Sequence, residues 1–279
     1  MADPAGPGSA TLAQAAVHQS RLFFIALQFF TRIPTPGWVG YQPAWLQHAS
    51  RYYPLVGLVV AVVTGLVYFL SALILPPAIA VLMSTIAGIY LTGAFHEDGF
   101  ADVCDGFGGG YTRERVLEIM KDSRVGAYGA IGIGLLLLLK CTTLAHLPPH
   151  AVIAALFVAH PSSRLLSALL IWRMEYARDE GKAKPLAQTM STPEISIAAL
   201  TTLLPLAAIV LGGWIPWAAI LGGIAAGVLA TAWLARYFQR RIGGFTGDCL
   251  GAVQQLSEVA IYLGILAYLY SNNLYSTPH

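Results

Sequence analysis

The feature that most constrains this chain is a succession of apolar runs, each about as long as a bilayer is thick. A membrane-crossing helix needs ~20 largely apolar residues, and its backbone N–H and C=O groups must pair within the segment. Seven stretches qualify: Leu55–Leu75, Ala78–Phe95, Ala127–Leu147, Ala151–Trp172, Ile195–Leu211, Trp217–Ala235 and Ala252–Tyr270. Composition agrees, with 56% hydrophobic and only 11% charged residues. The expected fold class is an all-α polytopic membrane protein of about seven transmembrane helices. A further aromatic stretch, Arg21–Ile33, is shorter and ends at Pro34 and Pro36, so a short N-terminal interfacial or re-entrant helix is expected there. Residues 1–20 carry almost no charge, lack the basic start of a signal peptide and read as a flexible tail. Residues 21–279 read as a single integral-membrane domain.

Basic residues orient these spans, because Lys and Arg concentrate in cytoplasmic connections. Arg21, Arg32 and Arg51 precede the first run, and Arg113, Arg115, Lys121 and Arg124 lie between the second and third. Arg173, Arg178, Lys182 and Lys184 follow the fourth, and Arg236, Arg240 and Arg241 follow the sixth. The alternate connections Pro76–Pro77, Pro148–His150 and Gly212–Pro216 contain no Lys or Arg. The N-terminus is therefore expected inside and the C-terminus outside. A net charge of +2 says little about a polyanionic partner; no nucleic-acid partner is expected. Cys104, Cys141 and Cys249 are far apart and form no CxxC pair, which argues against a disulfide framework or a structural zinc site.

The chemistry concentrates in His96-Glu97-Asp98-Gly99-Phe100-Ala101-Asp102-Val103-Cys104-Asp105-Gly106, which follows directly on an apolar run. In a helix, Asp98, Asp102 and Asp105 fall at i, i+4 and i+7, on one face. Like charges so placed repel each other. A divalent cation would relieve that repulsion, and Mg²⁺ takes hard oxygen ligands of this kind together with substrate phosphates. A solvated acidic face is the plain alternative, disfavoured in a chain so poor in charge. A run Gly108-Gly109-Gly110 and the segment Lys121-Asp122-Ser123-Arg124 follow on the same expected face. Carboxylates for a metal, glycine backbone for close approach and a basic pair together describe a phosphate site. Between them Thr112 is placed to cap an amphipathic helix bearing Val116, Leu117, Ile119 and Met120.

A second cluster lies at Gly243–Gly251, with Asp248 at the mouth of the last run and Gln254, Gln255 and Glu258 within it. Ionisable groups at membrane depth are expensive and mark function or internal pairing. Lys140, His160 and Arg164 share that position, and Glu258 is expected to hold Lys140 or Arg164. The last span is expected beside the second, bringing Asp248 to the aspartate face.

The acidic undecapeptide resembles the signature of the cobalamin (5′-phosphate) synthase family, the adenosylcobinamide-GDP ribazoletransferases. Phe29-Phe30-Thr31-Arg32-Ile33-Pro34, Arg51-Tyr52-Tyr53-Pro54-Leu55-Val56-Gly57, Met120–Gly129 and Gly244–Glu258 agree with it. The resemblance implies a bacterial inner-membrane enzyme in which adenosylcobinamide-GDP is attacked by α-ribazole, or its 5′-phosphate. The products are adenosylcobalamin, or its phosphate, and GMP, with Mg²⁺ as cofactor and the active site facing the cytoplasm. On this chemistry Asp98, Asp102, Asp105 and Glu97 are the expected metal ligands. Asp105, or alternatively Asp248, takes the hydroxyl proton. Lys121, Arg124, Arg32 and Arg51 are placed on phosphate oxygens, with Arg164, His160, Lys140 and Gln255 as further substrate contacts. Homo-oligomerisation stays open. Two rivals compete. A CDP-alcohol phosphatidyltransferase-like enzyme wants further aspartates soon after Gly106, and the next here is Asp122. An ion-coupled transporter wants acids at mid-membrane in repeated halves, and no repeat is visible.

Overall fold

The computed structural model describes residues 12–177 and 188–273. Arg178, Lys182 and Lys184, and residues 1–11 of the expected tail, lie outside them. The helices run in chain order α1 (Leu12–Phe30), α2 (Pro43–Ala49), α3 (Tyr53–Ala72), α4 (Pro77–Thr92), α5 (Phe95–Gly109) and α6 (Arg113–Ile119). They continue as α7 (Ala127–Ala145), α8 (Pro149–Arg173), α9 (Thr192–Leu211), α10 (Trp217–Ile242) and α11 (Gly247–Ser271). Proline sits in the first turn of α2, α3, α4, α8 and α9, where its missing N–H costs no helical bond. Gly93 and Gly243 end α4 and α10 in the left-handed conformation, at φ 64° and 77°.

Among the described residues, six helices are long and apolar enough to cross a membrane: the continuous α2–α3 rod, α7, α8, α9, α10 and α11. The pair α4 and α5, bent by 89° at their junction, makes a seventh when counted as one span. The second run thus stops at Thr92 rather than Phe95, because Gly93 and Ala94 both take positive φ and turn the chain. The polar stretch after it holds two helices, α5 and α6, where one was expected. Part of the stretch expected as a tail is helical. Residues 12–20, rich in helix-forming alanine, are the first turns of α1, and Tyr52 Oη donates to Gln19 Oε1 at 2.8 Å.

At the centre are α8 and α11, which bury 78% and 67% of their most apolar stretch, against 28–39% in the other four single spans. Outward-facing Leu66, Phe69, Ile86, Leu138, Leu203 and Leu229 are exposed, as lipid contact requires. Inside, apolar packing forms two clusters. One gathers Val56, Leu170, Ile171 and Val253; the other gathers Tyr68, Leu144, Leu156 and Ile265. A buried polar layer with Thr64, Lys140, His160, Arg164, Gln255 and Glu258 falls between them along the helices.

The connections that carry basic residues meet one another. Arg51 Nη2 donates to Glu194 Oε1 at 2.6 Å, joining the start of α3 to the capping box of α9. Arg113 reaches the carbonyls of Ile242 and Ala177 at 3.0 and 2.8 Å, and Arg241 reaches that of Gly110 at 2.6 Å. Among the described residues the one extended pairing is a parallel bridge between Tyr176 and Phe245, which ties the end of α8 to the start of α11.

Candidate active site

The acidic helix α5 shows three faces, and they divide its carboxylates. Asp98 and Asp102, one turn apart, are exposed and half-buried. A second face meets α11 at very short range. A Cβ on Gly99 would lie 3.1 Å from both Cα and O of Asp248, and one on Gly251 would lie 3.1 Å from the carbonyl of His96. Glycine at both positions favours so close an approach of the two backbones. Asp248, half-buried and accepting from Thr246 Oγ1 at 3.3 Å, therefore stands at the flank of the acidic helix. The last span reaches this position by packing on α5, not beside the second span α4 as expected, because the bend at Gly93 swings the acids away from α4.

The third face packs on α7 and takes Asp105 with it. The buried carboxylate accepts from Gly126 N at 2.7 Å through Oδ2 and from Gly129 N at 2.8 Å through Oδ1. Those are unpaired donors at the N-terminus of α7, so Asp105 caps that helix. Asp105 thereby serves the segment 120–126, and its two oxygens are already engaged where a metal ligand or base was expected. On that segment Lys121 is exposed and makes no ion pair among the described residues. Arg124 instead pairs with Asp122 at 2.6 Å. That hydrogen bond holds the exposed Asp122 carboxyl down to about 2. The helix before them forms as expected: Thr112 Oγ1 accepts from Arg115 N at 3.3 Å and caps α6, whose Val116 is fully buried.

Other expected contacts fall elsewhere. Glu97 is buried, its Oε1 accepting from Gln255 Nε2 at 3.0 Å. Lys140, His160, Arg164 and Gln255 are buried with it and line one small cavity instead of an open substrate cleft. Arg51 is committed to Glu194. Arg32 is exposed, its guanidinium 5.0 Å from the Tyr90 ring centroid and beside Gly93, close to the start of α5. Glu258 does hold Lys140, at 2.5 Å. Sequence reasoning left Tyr262 unassigned, although its i, i+4 spacing from Glu258 was the available signal; Tyr262 Oη donates to Glu258 Oε1 at 3.1 Å. It also left unassigned Gly126 and Gly129, whose role depends on where Asp105 points. Among the described residues no three His, Cys, Asp or Glu side chains already converge as a metal-binding group.

A family model described as cobalamin-5-phosphate synthase matches residues 22–266. Relatives named adenosylcobinamide-GDP ribazoletransferase include one from Shewanella frigidimarina, 47% identical over 90% of this chain and 96% of its own length. Another, from Leptothrix cholodnii, is 48% identical over 91% of this chain and 97% of its own. No solved structure matches the chain. The acidic helix, the glycine contact with α11 and the segment capped by Asp105 all lie within the matched residues, and the chain belongs to the cobalamin-5-phosphate synthase family.

Proposed function

We propose that this chain is an adenosylcobinamide-GDP ribazoletransferase of a bacterial inner membrane, its N-terminus and active site facing the cytoplasm and its C-terminus outside. The observation that carries the reading is the stripe Asp98–Asp102 facing outward from α5, with Asp248 abutting it, at the end where the basic connections meet. Guanine nucleotides are cytoplasmic, and basic loops favour that side.

Mg²⁺ fits this donor set as it binds elsewhere, through one or two carboxylates completed by substrate phosphates and water. Asp98 and Asp102 would hold it, where it would neutralise charge developing on the diphosphate. Asp105 and Glu97 are engaged elsewhere. The chain's own residues supply the remainder. A ribazole hydroxyl oxygen attacks the phosphorus that bears the cobinamide chain. The bond from that phosphorus to the bridging oxygen breaks, and GMP leaves with that oxygen. Asp248 accepts the hydroxyl proton. Lys121 and Arg32, both exposed, neutralise phosphate oxygens.

The test uses the whole protein in proteoliposomes with adenosylcobinamide-GDP, α-ribazole and Mg²⁺. GMP release is expected, and Asp98→Asn or Asp102→Asn should lower it by roughly 10²-fold or more while insertion survives. CMP release from a CDP-alcohol would instead identify a lipid enzyme, and near-normal turnover of either variant at low Mg²⁺ would remove that residue from the metal site.

A further inference from the structure

The polar layer between the two apolar clusters is a connected set of side chains. Glu258 of α11 is its hub. Oε1 pairs with Lys140 Nζ of α7 at 2.5 Å, and Oε2 accepts from Gln254 Nε2 at 2.5 Å. Oε2 also faces His160 Nδ1 of α8 at 3.2 Å, within ion-pair range though off hydrogen-bonding geometry. Gln254 Oε1 accepts from Gln255 Nε2 at 2.9 Å, and the same nitrogen donates to Glu97 Oε1 of α5 at 3.0 Å. Arg164 Nη1 donates to the His160 carbonyl at 3.0 Å. Contact therefore runs without a break from α7 and α8, through α11, to the residue that precedes Asp98. The charges balance, Glu97 and Glu258 against Lys140 and Arg164, when both histidines on the cavity wall, His96 and His160, are neutral.

Besides His160 Nδ1, three buried atoms in this set have no hydrogen-bond partner among the described residues: Glu97 Oε2, Gln255 Oε1 and Arg164 Nε. All three residues line a cavity of about 20 Å³. That is room for one water, with two acceptors and a donor to hold it. It is far too small for a nucleotide or a corrinoid.

We propose that Glu97, Gln255, Glu258 and Lys140 are positioning residues. Completed by one trapped water, the layer locks α5 in register against α11, so that Asp98 and Asp102 stand beside Asp248. The proposal rests on the transferase reading of those acids. Glycine contacts at Gly99 and Gly251 let the two helices slide, whereas a buried polar network is satisfied in one register only. Lipid offers no water to replace a lost partner.

A double-mutant cycle on the full-length protein in proteoliposomes tests it, read by GMP release. Lys140→Met and Glu258→Gln each leave one buried charge unpaired, and each should lower kcat by about tenfold or more with KM for adenosylcobinamide-GDP within about twofold. The double variant K140M/E258Q removes both charges and should recover several-fold over either single variant. A double variant no better than K140M, or a KM raised about tenfold by K140M, overturns the proposal and makes Lys140 a substrate contact. Glu97→Gln keeps the acceptor for Gln255, so the Mg²⁺ concentration giving half-maximal rate should not move. A shift of about tenfold would make Glu97 a metal ligand and overturn its positioning role. Wild-type protein that releases no GMP would sink the transferase reading instead. The same cycle followed by thermal unfolding in detergent would then still decide the lock, with recovery in the double variant supporting it and additive losses ending it.

Discussion

At Asp105, spacing and surroundings give different answers. The i, i+4, i+7 pattern puts it in line with Asp98 and Asp102, yet its oxygens accept two backbone N–H groups at the start of α7. It sits near the C-terminal end of α5, where the first turn of α7 lies against it. A Cβ on Gly126 would come within 2.5 Å of Asp105 Oδ1, and one on Gly129 would strike Oδ2. Gly129→Ala should therefore reproduce the loss caused by Asp105→Asn, although it removes no chemical group. Both should cost ~1–2 kcal/mol in thermal unfolding, as lost caps do, and both should lower turnover without moving its pH profile. A pH profile altered by Asp105→Asn alone would restore Asp105 as the proton acceptor. The acids themselves were legible as a cluster. Their division between solvent and helix cap was not, because it depends on where α7 begins, more than twenty residues downstream.

Among elements, α11 makes two glycine-mediated contacts with different consequences. On α5 it meets Gly99 beside the acids, while Gly264 meets α10, where an added Cβ would lie 2.6 Å from the carbonyl of Gly222. Gly264→Ala should push α10 and α11 apart in the half remote from the acids. It should lower thermal stability by ~1–3 kcal/mol, as overpacking does, with KM unchanged. Gly99→Ala should instead cut kcat, because it displaces Asp248 from the acidic stripe. Equal effects of the two variants on turnover would show that the α5–α11 contact has no special part in the site. Helix existence and type were legible here from apolar runs and first-turn prolines. The bend between α4 and α5 was not, since an apolar run continuing to Phe95 hides the positive φ of Gly93 and Ala94.

For the whole molecule, the gathering of basic connections at one end predicts sidedness. In a chain with Cys104, Cys141 and Cys249 replaced, single cysteines at the exposed Tyr111 and Arg240 should label only from the cytoplasmic side. Cysteines at His150, Gly213 and Asn273 should label from outside. Labelling at Tyr111 from outside would reverse the orientation and separate the acids from cytoplasmic nucleotides. The sequence by itself determined the all-helical membrane class, the number of apolar runs and the asymmetry of charge. Hydropathy and loop charge add up locally, and the bilayer acts on them segment by segment. Only the tertiary structure decided which polar groups face outward and which face each other. Glu97 and Gln255, 158 residues apart, hydrogen-bond in the buried layer, while Asp98 beside Glu97 is exposed. Burial is set by which helices pack together, and no local pattern in either segment records its partner.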